Sequence, residues 1–159
     1  PPPPSPEPPP EPAARQQRIV AIRLLGDRER RIDGAELKQA LAAEGLEFGR
    51  YAIFHRQGPG GRALFSVASL VEPGSFDPER MTELHYAGIS IFAVYPGPMP
   101  APQGFDEMLA TARRLAERLG GTLQDDSGSS LTGQRVLSIR EELVHFEHLV
   151  ALSRSRPVA

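Results

Sequence analysis

Apolar residues recur in this chain at two spacings, every second position in four short stretches and every three or four positions in longer ones. These are the periods of half-buried strands and of amphipathic helices. Arg18 to Leu25, RIVAIRLL, sets Val20, Ile22 and Leu24 on one face and Ile19, Ala21 and Arg23 on the other. Tyr51 to Arg56 sets Ala52 and Phe54 against Tyr51, Ile53 and His55. Leu64 to Val71 sets Phe65, Val67 and Val71 against Leu64, Ser66, Ala68 and Leu70. Ile89 to Tyr95 sets Ile89, Ile91 and Ala93 against Ser90, Phe92 and Val94. Each stretch predicts a strand with apolar groups on both faces.

Helical spacing follows Asp33, which reads as an N-cap with Glu36 three residues on, ahead of Leu37 and Leu41 and a stop at Gly45. Asp77 with Pro78 predicts one short turn of helix ending before Gly88. Pro96 to Gln103 carries four prolines and predicts a surface loop. Asp106 then reads as the cap of a helix through Met108, Leu109, Ala112, Leu115, Ala116 and Leu119, stopped by Gly120 and Gly121. Thr122 to Gln124 and Ser129 to Leu131 flank a turn, and Thr132 opens a last helix striped by Val136, Ile139, Leu143, Phe146 and Val150. Ser153 to Ala159 reads as a frayed end.

This order predicts an α+β fold: an antiparallel sheet of about six strands, of the split β-α-β type, with three helices packed on one face. Three helices with one apolar stripe each cover one sheet face. The other, carrying Ile19, Tyr51, Ile53, Ala68, Leu70 and Phe92, is left over, and an uncovered apolar patch of that kind marks a binding surface.

Composition narrows the classes. Residues 1–17 are a polyproline tract, read as an extended linker; residues 18–150 form one domain and 151–159 a tail. A net charge of −2 sets up no field for nucleic acid, and the absence of cysteine removes disulfide and thiolate chemistry. No apolar run is long enough to span a bilayer. The chain begins with Pro rather than Met, so a fragment is expected, with any anchor upstream.

Candidate chemistry is thin. Asp125 and Asp126 are neighbours in a turn, where plain turn chemistry competes with a metal or acid-base role. His145 and His148 alone make an incomplete metal site. His55 ends a strand, where a hydrogen bond to the loop competes with catalysis. Gly58, Gly60 and Gly61 precede a strand rather than the helix that a phosphate cradle needs. No nucleophile with a base, metal set or cofactor loop assembles, so neither an enzyme nor a cofactor is expected.

FGRYAIFHRQGPGGRALFSVASLVEPGSFDPE, then GISIFAVYP and FDEMLATARRLAERLGGTLQDD, resembles the C-terminal domain of the ZipA cell-division proteins, from about Arg18 to Val150. The resemblance rests on HR at 55–56, ALFS at 63–66, PGxFDPE at 73–79 and GGxLxDD at 120–126. It implies a non-enzymatic adaptor at the cytoplasmic face of the bacterial inner membrane, tethered through an anchor absent here. The domain itself would be monomeric, binding the C-terminal peptide of FtsZ in a shallow apolar groove on the open sheet face. The groove residues it implies are Ile19, Ala21, Tyr51, Ile53, Ala68, Leu70, Ser90 and Phe92. Family members carry a larger aliphatic residue at Ala21, thioethers at Tyr51 and Leu70, and bases at Glu72 and near Gly128. Two rival readings use the same face: a docking site for some other amphipathic peptide, and self-association of the open sheets.

Overall fold

Alternation in Arg18–Leu25 (β1) leaves Ile22 and Leu24 without exposure and Ile19 in solvent. The computed structural model describes residues 16–155. The Pro-rich stretch therefore lies outside the described residues, except for Gln16 and Gln17, as do residues 156–159. After β1 come Ile32–Asp33 (β2), helix Gly34–Ala43 (α1), Leu46–Phe48 (β3), Phe54–Gln57 (β4) and Ala63–Ser69 (β5). Then follow the single helical turn Pro78–Met81 (α2), His85–Tyr86 (β6), Gly88–Tyr95 (β7), Ala101–Leu119 (α3), Thr122–Gln124 (β8) and Gly133–Ser155 (α4).

Six strands form one sheet in the order β3-β4-β5-β7-β1-β8, with antiparallel ladders throughout. The short β2 and β6 pair separately. The predicted α+β class is the one found. Helix α3 lies along β7, β1, β5 and β8 and touches α1 and α4. Its Phe105, Met108, Ala112 and Leu115 join Ile22, Leu24, Val67, Ile89 and Ile91 in one core, which Ile139, Leu143, Phe146 and Val150 of α4 complete. Each large side chain so buried stabilises the fold by about 1.5–3 kcal/mol.

Several helix ends follow their predicted chemistry. The Asp33 carboxylate accepts from the Glu36 N–H at 3.1 Å, Asp77 accepts from the Glu79 N–H at 3.1 Å, and Thr132 Oγ1 accepts from the Arg135 N–H at 3.1 Å. Gly120 ends α3 in the left-handed conformation. Gly34 has a different constraint: its N–H donates to the Leu84 carbonyl at 2.8 Å, and a Cβ there would fall 1.8 Å from the Met81 carbonyl oxygen.

Four boundaries differ from the sequence reading. The strand expected over Tyr51 to Arg56 begins only at Phe54, because β3 is the antiparallel partner of β4 and the chain must reverse between Phe48 and Phe54. It does so through a tight turn at Arg50–Ala52 with Tyr51 and Ala52 at positive φ. The strand from Leu64 ends at Ser69, whose N–H bonds the Gly74 carbonyl, so Val71 is exposed rather than in the core.

The proline-rich loop over 96–103 is shorter than expected, since α3 starts at Ala101 with Pro102 in its first turn, where a missing N–H costs nothing. Asp106 therefore does not cap α3. It lies inside the helix and pairs with Arg140 at 3.0 Å through both oxygens, while the Ala101 N–H is accepted by Glu147 of α4 at 2.8 Å. A cap supplied by another helix leaves no local signal. Finally, residues 153–155 continue α4 instead of fraying.

Candidate functional site

The sheet face away from the helices carries its side chains in rows fixed by register. Ala21 pairs with Phe92, Phe92 with Ser66, and Ser66 with His55, so one row crosses four strands with Phe92 as its large apolar member. Arg23, Ser90 and Ala68 make the next row. Phe92 stands between small Ala21 and Ser66, which leaves its ring half-buried and accessible from solvent.

Beside Phe92 lies a depression of about 520 Å³, bounded by the turn Gly49–Tyr51, by Ile53, His55 and Gln57 of the following segment, by Gly61–Ala63, and by Ser66. A smaller one, about 280 Å³, shares Arg62, Ala63, Ser66 and Phe92 and runs on to Val94 and Gly97. Both are open to solvent.

Three of the eight sequence-predicted residues, Tyr51, Ile53 and Phe92, line the larger depression. Ala21, Ala68 and Ser90 lie in the adjoining rows, each half-buried. Ile19, 67% exposed, stands opposite Val94 near one end of β1. Leu70, past the end of β5, lays its Cδ1 over Gly88 at the far end of the same face. Ile53 differs from expectation: it is 8% exposed, closed in by the chain around it rather than left open.

The groove residues implied by the sequence do not include Arg50, His55, Gln57, Arg62, Ala63 or Ser66, which also line the depression. Alternation places His55 and Ser66 on this face, so the signal is present in the sequence; His55 reads there as a hydrogen-bond partner of the loop, and Ser66 is not among the groove residues that the resemblance implies. Arg62 and Ala63 come from the loop after the glycines, where period-2 patterning does not reach.

His55 is buried and uses both ring nitrogens. Nε2 lies 2.8 Å from the Arg50 carbonyl and Nδ1 lies 2.7 Å from Ser66 Oγ. A carbonyl only accepts, so Nε2 carries a proton, and in the neutral ring Nδ1 accepts from the Ser66 hydroxyl. The bond to Arg50 holds the turn that presents Tyr51, and Phe76 N–H donates to the Ala52 carbonyl from the other side at 2.7 Å. Arg50 lies over the Tyr51 ring, 5.5 Å from its centroid, a cation–π contact.

Of the other candidate groups, Asp125 has a structural role. Asp125 accepts from the Ser127 hydroxyl at 2.7 Å and N–H at 3.0 Å, from the Ser129 N–H at 2.9 Å and from Arg135 Nε at 3.2 Å. These donors, the Ser127 hydroxyl foremost, hold its carboxyl down to about 2. His145 and His148 are exposed on α4, and among the described residues no three His, Asp or Glu side chains are placed to hold a metal ion. Gly60 and Gly61 lie in a turn that leads into β5.

A family model described as "ZipA, C-terminal FtsZ-binding domain" matches residues 18–142. Among curated proteins, the "Cell division protein ZipA" of Ectopseudomonas mendocina (strain ymp) is 36% identical over 138 residues, covering 85% of this chain and 50% of that protein. The ZipA of Pseudomonas putida (strain W619) is 37% identical over 143 residues, 88% of this chain and 48% of its own length. That of Stutzerimonas stutzeri (strain A1501) is 40% identical over 117 residues, 72% and 43% respectively. The chain thus spans about half the length of the curated relatives it matches. With the match running from β1 well into α4, the chain belongs to the ZipA C-terminal FtsZ-binding domain family.

Proposed function

We propose that this domain is a non-enzymatic adaptor of cell division that docks the C-terminal tail of FtsZ on its open sheet face, stabilising the FtsZ ring during septation. The observation that carries the reading is the row Ala21–Phe92–Ser66–His55: an aromatic ring between small neighbours, on the sheet face that the helices do not cover, in a member of this family. Tyr51 and Ile53 at one side, Ala68, Leu70 and Ser90 in the adjoining rows, and Ile19 and Ala21 on β1 complete the docking surface. A short amphipathic segment laying two or three apolar side chains across such a surface is a familiar mode of peptide recognition.

No helix among the described residues is long and apolar enough to cross a membrane. Attachment to the inner membrane at the division site would come through a segment outside this chain, in keeping with relatives about twice its length. Shallow single contacts suit a polymeric partner, whose many tails raise the effective affinity by multivalency.

The test is a titration of the isotope-labelled domain with the C-terminal peptide of FtsZ. Amide shifts are expected at Ile53, Ala68, Ser90 and Phe92 and not on the outer face of α4. Absence of binding, or shifts confined to α4, would overturn the proposal.

A further inference from the structure

The depression beside Phe92 is not apolar throughout. Arg50, just before β4, and Arg62, in the loop just after that strand, both line it, so two basic residues flank the Ile53–Gln57 wall along the chain. Both arginines are exposed, and among the described residues neither is in an ion pair. Glu47 stands one strand further out on the same face, opposite His55, and bonds neither of them.

The polar groups between the arginines make no call on these cations. The His55 ring is satisfied by Ser66 and by the Arg50 carbonyl. Arg50 is in addition held over the Tyr51 ring, which orders its guanidinium at the rim. Two unpaired guanidinium forks beside an aromatic and aliphatic surface are complementary to an apolar side chain with carboxylates on both sides of it.

We propose, resting on the docking reading above, that this site recognises an acidic–apolar–acidic segment of the docked peptide, with Arg50 and Arg62 each taking a carboxylate and the apolar residue seated against Tyr51 and Phe92. The arginines then set which stretch of the partner docks and in which register, while the apolar contact supplies the anchor.

The experiment compares the 159-residue chain with its Arg50→Gln and Arg62→Gln variants. Each is titrated with the FtsZ C-terminal peptide and with the same peptide bearing Asn and Gln in place of Asp and Glu, at low and high salt. Both substitutions are at exposed sites, and circular dichroism checks that the fold is kept. The expected result is a loss of about two- to fivefold in affinity for each charge removed from the protein. The parent's salt dependence should disappear with the neutral peptide. Binding that ignores salt, peptide carboxylates and both arginines overturns this inference and leaves the docking reading standing. No binding of either peptide overturns both.

Discussion

Ser66 Oγ lies 2.7 Å from His55 Nδ1 across the β4–β5 ladder, and the far side of the same ring reaches the Arg50 carbonyl at 2.8 Å. One buried imidazole therefore ties the sheet beside Phe92 to the turn that carries Tyr51. His55→Ala would leave the Ser66 hydroxyl and the Arg50 carbonyl without their partner, at a cost of about 1–3 kcal/mol for an unsatisfied buried group. The expected outcome is a lower urea midpoint and faster amide exchange at Gly49 and Ala52, whose N–H groups bond within this turn. Parent-like exchange at both would mean that the ring does not hold the turn.

The two faces of the sheet make opposite demands on their phenylalanines. Phe54, 5% exposed, sits edge-on between Phe48 and Phe76 with ring centroids 5.5 Å from each. Phe54→Ala should destabilise the domain by about 3–5 kcal/mol through the cavity it leaves. Phe92→Ala, on the half-open face, should keep the fold and weaken FtsZ-peptide binding by ~1–4 kcal/mol. Thermal melts and peptide titrations of both variants decide the matter; parent-like stability in Phe54→Ala together with lost binding would mean that the faces had been assigned backwards.

Alternation located the strand faces because one face is packed against α3, and a one-residue error would exchange every core residue for a surface one. Ile22, Leu24, Ile89 and Ile91 were legible for that reason. It failed where tertiary contacts set the backbone. Tyr51, Ile53 and His55 kept period 2 through a chain reversal dictated by β3, a strand too short to leave a pattern of its own. The start of α3 was hidden because its cap is Glu147, 46 residues away. Phe92 of the candidate site follows alternation as the core does; Arg50, Tyr51 and Arg62 come from turns, where period-2 patterning carries no information.

Tyr51 holds φ +62° and is 77% exposed, so its ring contributes little burial to offset a conformation that L-residues disfavour. A left-handed backbone costs a non-glycine residue about 1–2 kcal/mol, and glycine occupies it without that penalty while losing more entropy on folding. Tyr51→Gly should therefore leave stability within about 1 kcal/mol of the parent. The wall of the depression and the seat of the Arg50 guanidinium go with the ring, so peptide affinity should fall. Calorimetric titration alongside a denaturation curve separates the two effects; a large stability loss with unchanged affinity would assign Tyr51 to folding rather than docking.

Asp125 ties the turn after β8 to the first turn of α4, since its donors are Ser127, Ser129 and Arg135. They favour the ionised form and bring the carboxyl from the ordinary 3.8 down to about 2, the Ser127 hydroxyl contributing most. A carboxyl whose folded value is depressed stabilises the fold fully above its unfolded value, and the advantage fades as the folded carboxylate is protonated. The window here runs from about 4 downward to about 2, the two values that bound the shift. Asp125→Asn keeps an accepting oxygen but no charge, so it should be less stable than the parent at neutral pH. The two midpoints should converge as the solution is acidified through that window. Urea midpoints measured at successive pH values provide the check: a gap that stays constant to the acid end would place the stabilisation in the shape of the turn and not in its charge.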